Sequence, residues 1–453
     1  MNWRKPVMEF ALRATHYAAL REIEVIQSLE RAPRQKIVDL QQHRLETLLH
    51  HAWSNTDYYR DVLESCGAVR GGVVNLDRFE DIPFLTKDII RAQGEQMWAR
   101  KLPKGRHSTI ITSGGTTGAP IRFPQDNYHN ALNMGTRIYQ FGTLGKCMGD
   151  PEMKVWGNEG DLTKGTHGVG KRVANFIYNR KYQGAWYLSE DRIKEIIDDI
   201  NTWRPKLLWC FRDGIDAIAK YVNAHGISLH QPAAIVLGGS TVYPFMVKTI
   251  EQAFHAPVLS AYGSREVGGV ACECLEQNGH HISTNLAVIE TINSDAQLVT
   301  EQEGELVITA LANYAFPFIR YRLGDRGLLT KRQCACGRNF PLLGSVSGRL
   351  VEAFINSRGE QIDPLYFIMS FRMSWNSGTL KQYQLVQELD KSLTINLVPE
   401  AGYTQSTIGL NYEAITRKIQ AVMGEDCAVR FELVSDIPLA PSGKFPYIVR
   451  RQQ

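Results

Sequence analysis

Nowhere in the 453 residues is there a run approaching the roughly 18 apolar residues that a membrane-spanning helix needs, so no membrane span is expected. The N-terminal stretch also lacks the unbroken apolar centre of a secretory signal, because Arg4, Lys5, Glu9, Arg13 and Arg21 interrupt it. A cytoplasmic protein is expected. Cysteine is scarce: eight residues are too few for a disulfide scaffold, so thiols or metal ligands are expected. Charge of one sign is missing too. With 51 Lys and Arg against 47 Asp and Glu the net charge is +4, and no basic arm or stripe stands out, which argues against a nucleic-acid binder. Internal repeats and low-complexity tracts are absent. What is present is ordinary globular composition, 43% hydrophobic and 22% charged, in a chain long enough for about two to four domains.

Residues 8 to 64 place apolar positions at helical spacing, as in LQQHRLETLLHHAW with Leu40, Leu45, Leu48 and Leu49 on one face, and two or three helices are expected. An amphipathic first helix could lie on a membrane, but Glu9, Glu22 and Glu24 mix with arginine on its polar side, so packing against the domain is expected. From about residue 105, short β-branched runs closed by glycine (STIITSGG, AAIVLGGS, APVLSAYGS, GELVITAL) alternate with helical stretches at 190–203 and 243–254. That alternation points to α/β layers on a largely parallel sheet, forming a large N-terminal domain over 1–347. After SVSGRL, period-two segments KQYQLVQE, SLTINLVP and AVRFELV with two helices read as a smaller α+β domain over 348–453.

Ile110-Ile111-Thr112 run into Ser113-Gly114-Gly115-Thr116-Thr117-Gly118-Ala119-Pro120, a strand entering a loop dense in glycine and hydroxyls. Such a loop can turn backbone N–H groups and hydroxyls toward a phosphate. The lysine of the Walker loop is absent, so the positive charge must come from elsewhere.

SGGTTGAP resembles the phosphate loop of the adenylate-forming superfamily (acyl-CoA synthetases, adenylation domains, luciferases), and four further segments follow in that family's order. These are Tyr262-Gly263-Ser264-Arg265-Glu266, then Gly304-Glu305-Leu306 through Arg320-Tyr321-Arg322-Leu323-Gly324-Asp325, then Gly348-Arg349, and Pro441-Ser442-Gly443-Lys444. The opening LLHHAWSNTDYYRDVL, IPFLTKDII, CACGR and the small C-terminal domain resemble the phenylacetate-CoA ligase and CapK-like branch, over nearly the whole chain.

The resemblance implies ATP-dependent activation of a carboxylic acid, expected to be aromatic, as an acyl-adenylate, then thioester formation with coenzyme A. A C-terminal lid would carry the catalytic lysine. Ser113 to Gly118 would hold the β- and γ-phosphates, with Thr116 and Thr117 donating side-chain hydrogen bonds. Glu266 would ligate Mg²⁺, a hard cation that prefers carboxylate oxygen. Tyr262 would offer a face to adenine, with Gly263 and Ser264 beside it, and Gly239 and Ser240 would let the base approach. Asp325 would bind the ribose hydroxyls, with Arg349 as a second contact. Lys444 would bridge the substrate carboxylate and the α-phosphate in the transition state, cancelling charge where two anions meet. Trp156, Phe141 and Tyr139 fall where the branch builds its acid pocket. In one place the chain departs from the pattern: the usual hinge Gly-Arg-x-Asp-Asp reads Gly348-Arg349-Leu350-Val351-Glu352, which leaves the domain rotation of the family, and with it the thioester step, less firmly implied.

Cys334-x-Cys336-Gly337 is a tight turn aiming two thiolates together, and Cys274 with His281 would complete a closed, structural Cys₃His site for Zn²⁺. Cys272 and His280 are alternatives that spacing does not exclude. Two other functions stay open: the same adenylate passed to an amine or hydroxyl, and a non-catalytic nucleotide-binding zinc protein. Oligomeric state is not readable from sequence, and a homodimer stays open.

Overall fold

Four helices occupy the N-terminal segment, α1 (Arg4–Thr15), α2 (Tyr17–Leu29), α3 (Arg34–Asn55) and α4 (Asp57–Ser65), one or two more than the periodicity implied. The additional break falls at His16, whose φ of −141° is not helical and separates α1 from α2. The computed structural model describes residues 2–113, 121–156, 168–185, 188–239, 242–349, 354–362, 367, 379–404, 406–438 and 445–451. Among them no helix is long and apolar enough to cross a membrane.

After a short hairpin of β1 (Val69–Arg70) and β2 (Val73–Val74) and helix α5 (Lys87–Gln93) comes an antiparallel pair, β3 (Ser108–Thr112) and β4 (Arg122–Asp126). Asp126 then caps α6 (Asn127–Thr143) by accepting the His129 N–H at 2.7 Å. The chain continues through β5 (Glu152–Trp156), α7 (Val169–Ile177), β6 (Arg180–Gly184), α8 (Glu190–Trp203), β7 (Leu207–Phe211), α9 (Arg212–His225), β8 (Ala234–Gly238), α10 (Pro244–Phe254) and β9 (Val258–Ser264). Strands β6, β5, β7, β8 and β9 lie side by side and parallel, as strand–helix alternation requires.

The same sheet then changes character, which corrects the expectation of a largely parallel one. Beyond β9 follow β10 (Gly268–Glu273), β11 (His280–Ile282), β12 (Ala287–Ile292), β13 (Glu303–Ala310), β14 (Tyr321–Thr330) and β15 (Leu342–Arg349), with no helix between them among the described residues. Strands joined by short turns pair antiparallel, as β9–β10, β10–β11, β12–β13 and β13–β14 do. The result is one 11-stranded mixed sheet in the order β12-β13-β14-β15-β11-β10-β9-β8-β7-β5-β6.

The β3–β4 hairpin stands on a core of rings. Phe123 packs 5.0 Å from Phe318 and 5.7 Å from Phe316 (ring centroids), and the buried Tyr59 of α4 donates a hydrogen bond to the Pro317 carbonyl at 2.9 Å. Leu48, Leu49 and Leu63 belong to the same apolar cluster. The N-terminal helices therefore brace the base of the glycine-rich loop.

The chain divides into two units, Met1–Val346 and Ser347–Gln453. In the second, a two-stranded pair β16 (Phe354–Ile355) and β17 (Gln361–Ile362) precedes a four-stranded sheet. That sheet contains β18 (Leu380–Gln387), β19 (Leu393–Pro399), β20 (Val429–Leu433) and β21 (Ile448–Arg450), in the order β20-β19-β18-β21. The three period-two segments form β18, β19 and β20, and α11 (Tyr412–Met423) is capped by Asn411.

Candidate functional site

Chain order places the site at one edge of the parallel strands. The path runs from β5 outward to β6, then returns past β5 to β7 and β8, so the connections reverse between β5 and β7. A crevice opens at the carboxyl ends of strands at such a reversal. Trp156 ends β5 and Phe211 ends β7, so both lie at that end of the strands.

Next to them β8 ends at Gly238-Gly239. Gly239 has φ of +87°, and a Cβ on it would lie 3.1 Å from the Phe211 ring, so both backbone and space call for glycine. A Cβ at Gly238 would meet the Ala261 carbonyl and the Trp156 ring at 3.8 Å, which places this turn against β9 and the aromatic group.

β9 carries Tyr262, whose hydroxyl donates to Asp325 Oδ2 at 2.9 Å. Two residues 63 positions apart, one expected at the base and one at the ribose, are thus joined. At Gly263 a Cβ would come within 2.1 Å of the Gly268 carbonyl oxygen, so the β9–β10 turn closes only on glycine. Ser264 Oγ accepts from the N–H groups of Glu266 (3.2 Å) and Val267 (3.4 Å), which holds the turn and buries Glu266.

That turn is fastened to the β3–β4 hairpin on both strands. The Arg265 guanidinium donates to the Thr112 carbonyl at 3.1 Å, and Gln125 Nε2 donates to the Arg265 carbonyl at 3.2 Å. Ser113 closes the loop's base: its Oγ accepts the Ile121 N–H at 3.0 Å and its own N–H donates to the Ile121 carbonyl at 2.9 Å. Ser113, Gly239, Tyr262, Gly263, Ser264, Glu266 and Asp325 are therefore all placed by β3, β4, β8, β9 and β14. Gly114, Gly115, Thr116, Thr117, Gly118, Ser240, Lys444 and the side chain of Arg349 lie outside the described residues.

Around Trp156 the structure assembles an aromatic wall. Its ring lies 5.4 Å from Trp209 and 5.9 Å from Phe211, and Lys154 Nζ stands 4.3 Å from both indole centroids. Phe141 is buried behind it, 5.9 Å from Trp209. Tyr139 is not part of this group: its hydroxyl donates to Glu30 Oε2 at 2.6 Å and its ring faces Phe340 at 6.4 Å. Two positions along a helix turn a side chain about 200°, so Phe141 and Tyr139 leave α6 on nearly opposite sides. Sequence reasoning missed Trp209, Phe211 and Lys154; the alternation of Trp209 and Phe211 at the end of β7 was the available signal.

The four expected zinc ligands converge. Cys274 follows β10, His281 lies on β11, and Cys334 and Cys336 sit in the turn between β14 and β15. Their ligand atoms all lie within 4.8 Å of one another, with Cys274 and Cys334 sulfurs 3.5 Å apart and Cys336 Sγ 3.2 Å from His281 Nε2. A tetrahedral site with metal–sulfur bonds of about 2.3 Å requires ligand separations of about 3.8 Å, so the set fits Zn²⁺. Each cysteine turn closes the same way, Gln277 N–H on the Cys274 carbonyl (2.9 Å) and Gly337 N–H on the Cys334 carbonyl (3.2 Å). Burial, together with the Arg338 cation, drives His281 down to about 4, which keeps its imidazole neutral and ready to ligate at pH 7. Burial pushes the Cys274 thiol up to about 12. Burial also raises Cys336, but the Arg338 backbone N–H, the neighbouring thiols and the Arg338 charge outweigh it and hold that thiol below its ordinary value. Cys272 and His280, the alternative ligands, stand outside this cluster.

Residues 354–451 match the CapK C-terminal domain family. A phenylacetate-coenzyme A ligase of Thermus thermophilus is 26% identical over 92% of this chain and 97% of its own length. Protein CapK of Staphylococcus aureus is 24% identical over 90% of this chain and 88% of its own. Among solved structures, 2-hydroxyisobutyryl-CoA ligase in its postadenylation state superposes with a TM-score of 0.73 at 18% identity, covering 93% of this chain and 90% of that one. The C-terminal part of this chain thus carries a CapK C-terminal domain, and over nearly its whole length the chain is similar to phenylacetate-coenzyme A ligases and to protein CapK and shares the fold of 2-hydroxyisobutyryl-CoA ligase.

Proposed function

We propose that this chain activates an aromatic carboxylic acid with ATP and passes the acyl group to coenzyme A. The carboxylate oxygen attacks the α-phosphorus, the bond to the β-phosphate oxygen breaks and pyrophosphate leaves. The coenzyme A sulfur then attacks the acyl carbon, AMP leaves and the thiol proton goes to solvent. Such chemistry asks the protein for alignment and compensation of negative charge.

The observation that carries this reading is the Tyr262–Asp325 hydrogen bond beside a turn tied through Arg265 and Gln125 to the hairpin of the glycine-rich loop. Asp325 accepts from the ribose hydroxyls, positioned by Tyr262. Glu266 suits Mg²⁺, which when bound offsets triphosphate charge. Thr116, Thr117 and the loop N–H groups cradle phosphates, with Gly239 and Ser240 at the base and Arg349 at the ribose. Lys444 neutralises the meeting anions. Trp156, Trp209 and Phe211 support the choice of an aromatic acid, since a cluster of rings in tilted and edge-on contact favours a flat apolar body. The likeness to coenzyme A ligases favours that thiol over an amine or hydroxyl.

Asp325→Ala is expected to raise the KM for ATP about 10- to 100-fold, the loss of one or two hydrogen bonds to a charged group of about 1.5–3 kcal/mol. Tyr262→Phe should move it only a few-fold. Steady-state kinetics with ATP varied checks both. The reading as a whole is tested by ATP–pyrophosphate exchange across aromatic, aliphatic and amino acids, followed by mass spectrometry of the product with coenzyme A present. Exchange strongest with an aromatic acid, and a thioester product, are expected; exchange with none of the acids would overturn the reading, and an amide or ester would replace the acceptor.

A further inference from the structure

α1 packs inward through Met8 and Leu12, as a domain-facing helix should. It also carries a second apolar stripe that faces outward. Trp3, Val7 and Phe10 follow the spacing i, i+4, i+7 and are 58%, 40% and 74% exposed. On α7 the residues Val169, Val173 and Phe176 repeat that spacing and are 78%, 51% and 62% exposed.

The two stripes meet. The Arg4 guanidinium donates to the Phe176 carbonyl and lies 4.6 Å from the Trp3 ring centroid and 4.4 Å from that of Phe176. Monomers seldom expose so many large apolar side chains side by side unless the face is used. Around them the charge is one-sided: Arg4, Lys5, Arg13, Lys171 and Arg172 stand against Glu9 and Asp150, the latter engaged by Asn2. A groove lined by Arg172, Arg180, Lys181, Tyr182 and Trp203 opens beside Phe176.

We infer that this face docks on an anionic lipid surface. Aromatic and aliphatic side chains between lysines and arginines are what an interfacial helix presents, its rings entering the acyl boundary while the cations meet phosphate headgroups. A second copy of this chain fits less well, because a two-fold contact sets the patch against itself and brings like charges together. A nucleic acid would leave both apolar stripes unmatched.

The test is co-sedimentation of the full chain with phosphatidylcholine vesicles, with and without about 30 mol% phosphatidylglycerol, at low salt and at about 0.5 M KCl. Binding to the anionic vesicles, several-fold above neutral ones and released by salt, is expected. Phe10→Ser with Val169→Ser, both highly exposed, should lower the partition coefficient at least about tenfold, as the loss of two buried apolar side chains requires. Lys171→Glu with Arg172→Glu should do the same. Melting temperature and vesicle-free ATP–pyrophosphate exchange should not change in either variant. Equal binding to neutral and anionic vesicles, or a partition that the Phe10/Val169 pair leaves unaltered, would overturn the inference. So would self-association in sedimentation velocity that this pair abolishes, which would assign the face to a second copy.

Discussion

Lys444→Ala is expected to lower adenylate formation by about 10²- to 10³-fold, the usual effect of removing one charge-assisted contact to a transition state, about 3–4 kcal/mol. The reason is electrostatic. A carboxylate approaching the α-phosphate brings together two anions, and the glycine-rich segment Ser113 to Gly118 contains no cation of its own. The compensating charge must come from another part of the chain, and in the proposed function Lys444 of PSGK is the residue that would provide it. ATP affinity, assigned in the proposed function to Asp325, Glu266 and the loop, should be kept. Equilibrium binding of ATP alongside single-turnover adenylation separates the two, and a variant retaining more than about a tenth of the adenylation rate would refute the role.

The second large effect concerns the Cys274–His281–Cys334–Cys336 cluster. The protein purified without chelator is expected to hold one zinc per chain, measurable by plasma emission; less than about 0.3 would remove the proposal. Structural zinc binds with apparent free energies of about 10–16 kcal/mol in small peptides. Here the sheet has its own core, so a smaller share reports on stability. If about 4 kcal/mol is lost on stripping the metal or in Cys334→Ser, the melting temperature of the larger unit falls by about 5 °C. Reloading should release protons, since Cys274 is a thiol up to about 12 until a metal takes it.

The sequence announced the parallel half of the sheet clearly. AAIVLGGS and APVLSAYGS became β8 and β9, and the helix read at 190–203 is α8 with the same ends, because Ser189 caps its first turn and Arg204 leaves it with φ of +50°. The antiparallel half was harder to read. Segments such as VACECLEQNGHHI carry polar residues whose partners are cross-strand cysteines and histidines, so neither period two nor an apolar run marks them. The residues proposed to hold the nucleotide stand out in the sequence because they fall in short ordered motifs. Of the aromatic wall only Trp156 and Phe141 are legible there, since the alternation of Trp209 and Phe211 looks like ordinary core until the β5–β7 reversal brings their strand ends together with that of β5.

One strand ties the two sites into a single machine part. β10 begins at Gly268, beside the turn that buries Glu266, and ends next to Cys274. At about 3.3 Å per residue its six residues form a spar roughly 20 Å long. A peg of sulfur and imidazole thus anchors one end of the beam whose other end steadies the turn beside the Tyr262–Asp325 pair, and slack at the peg would be felt at that turn.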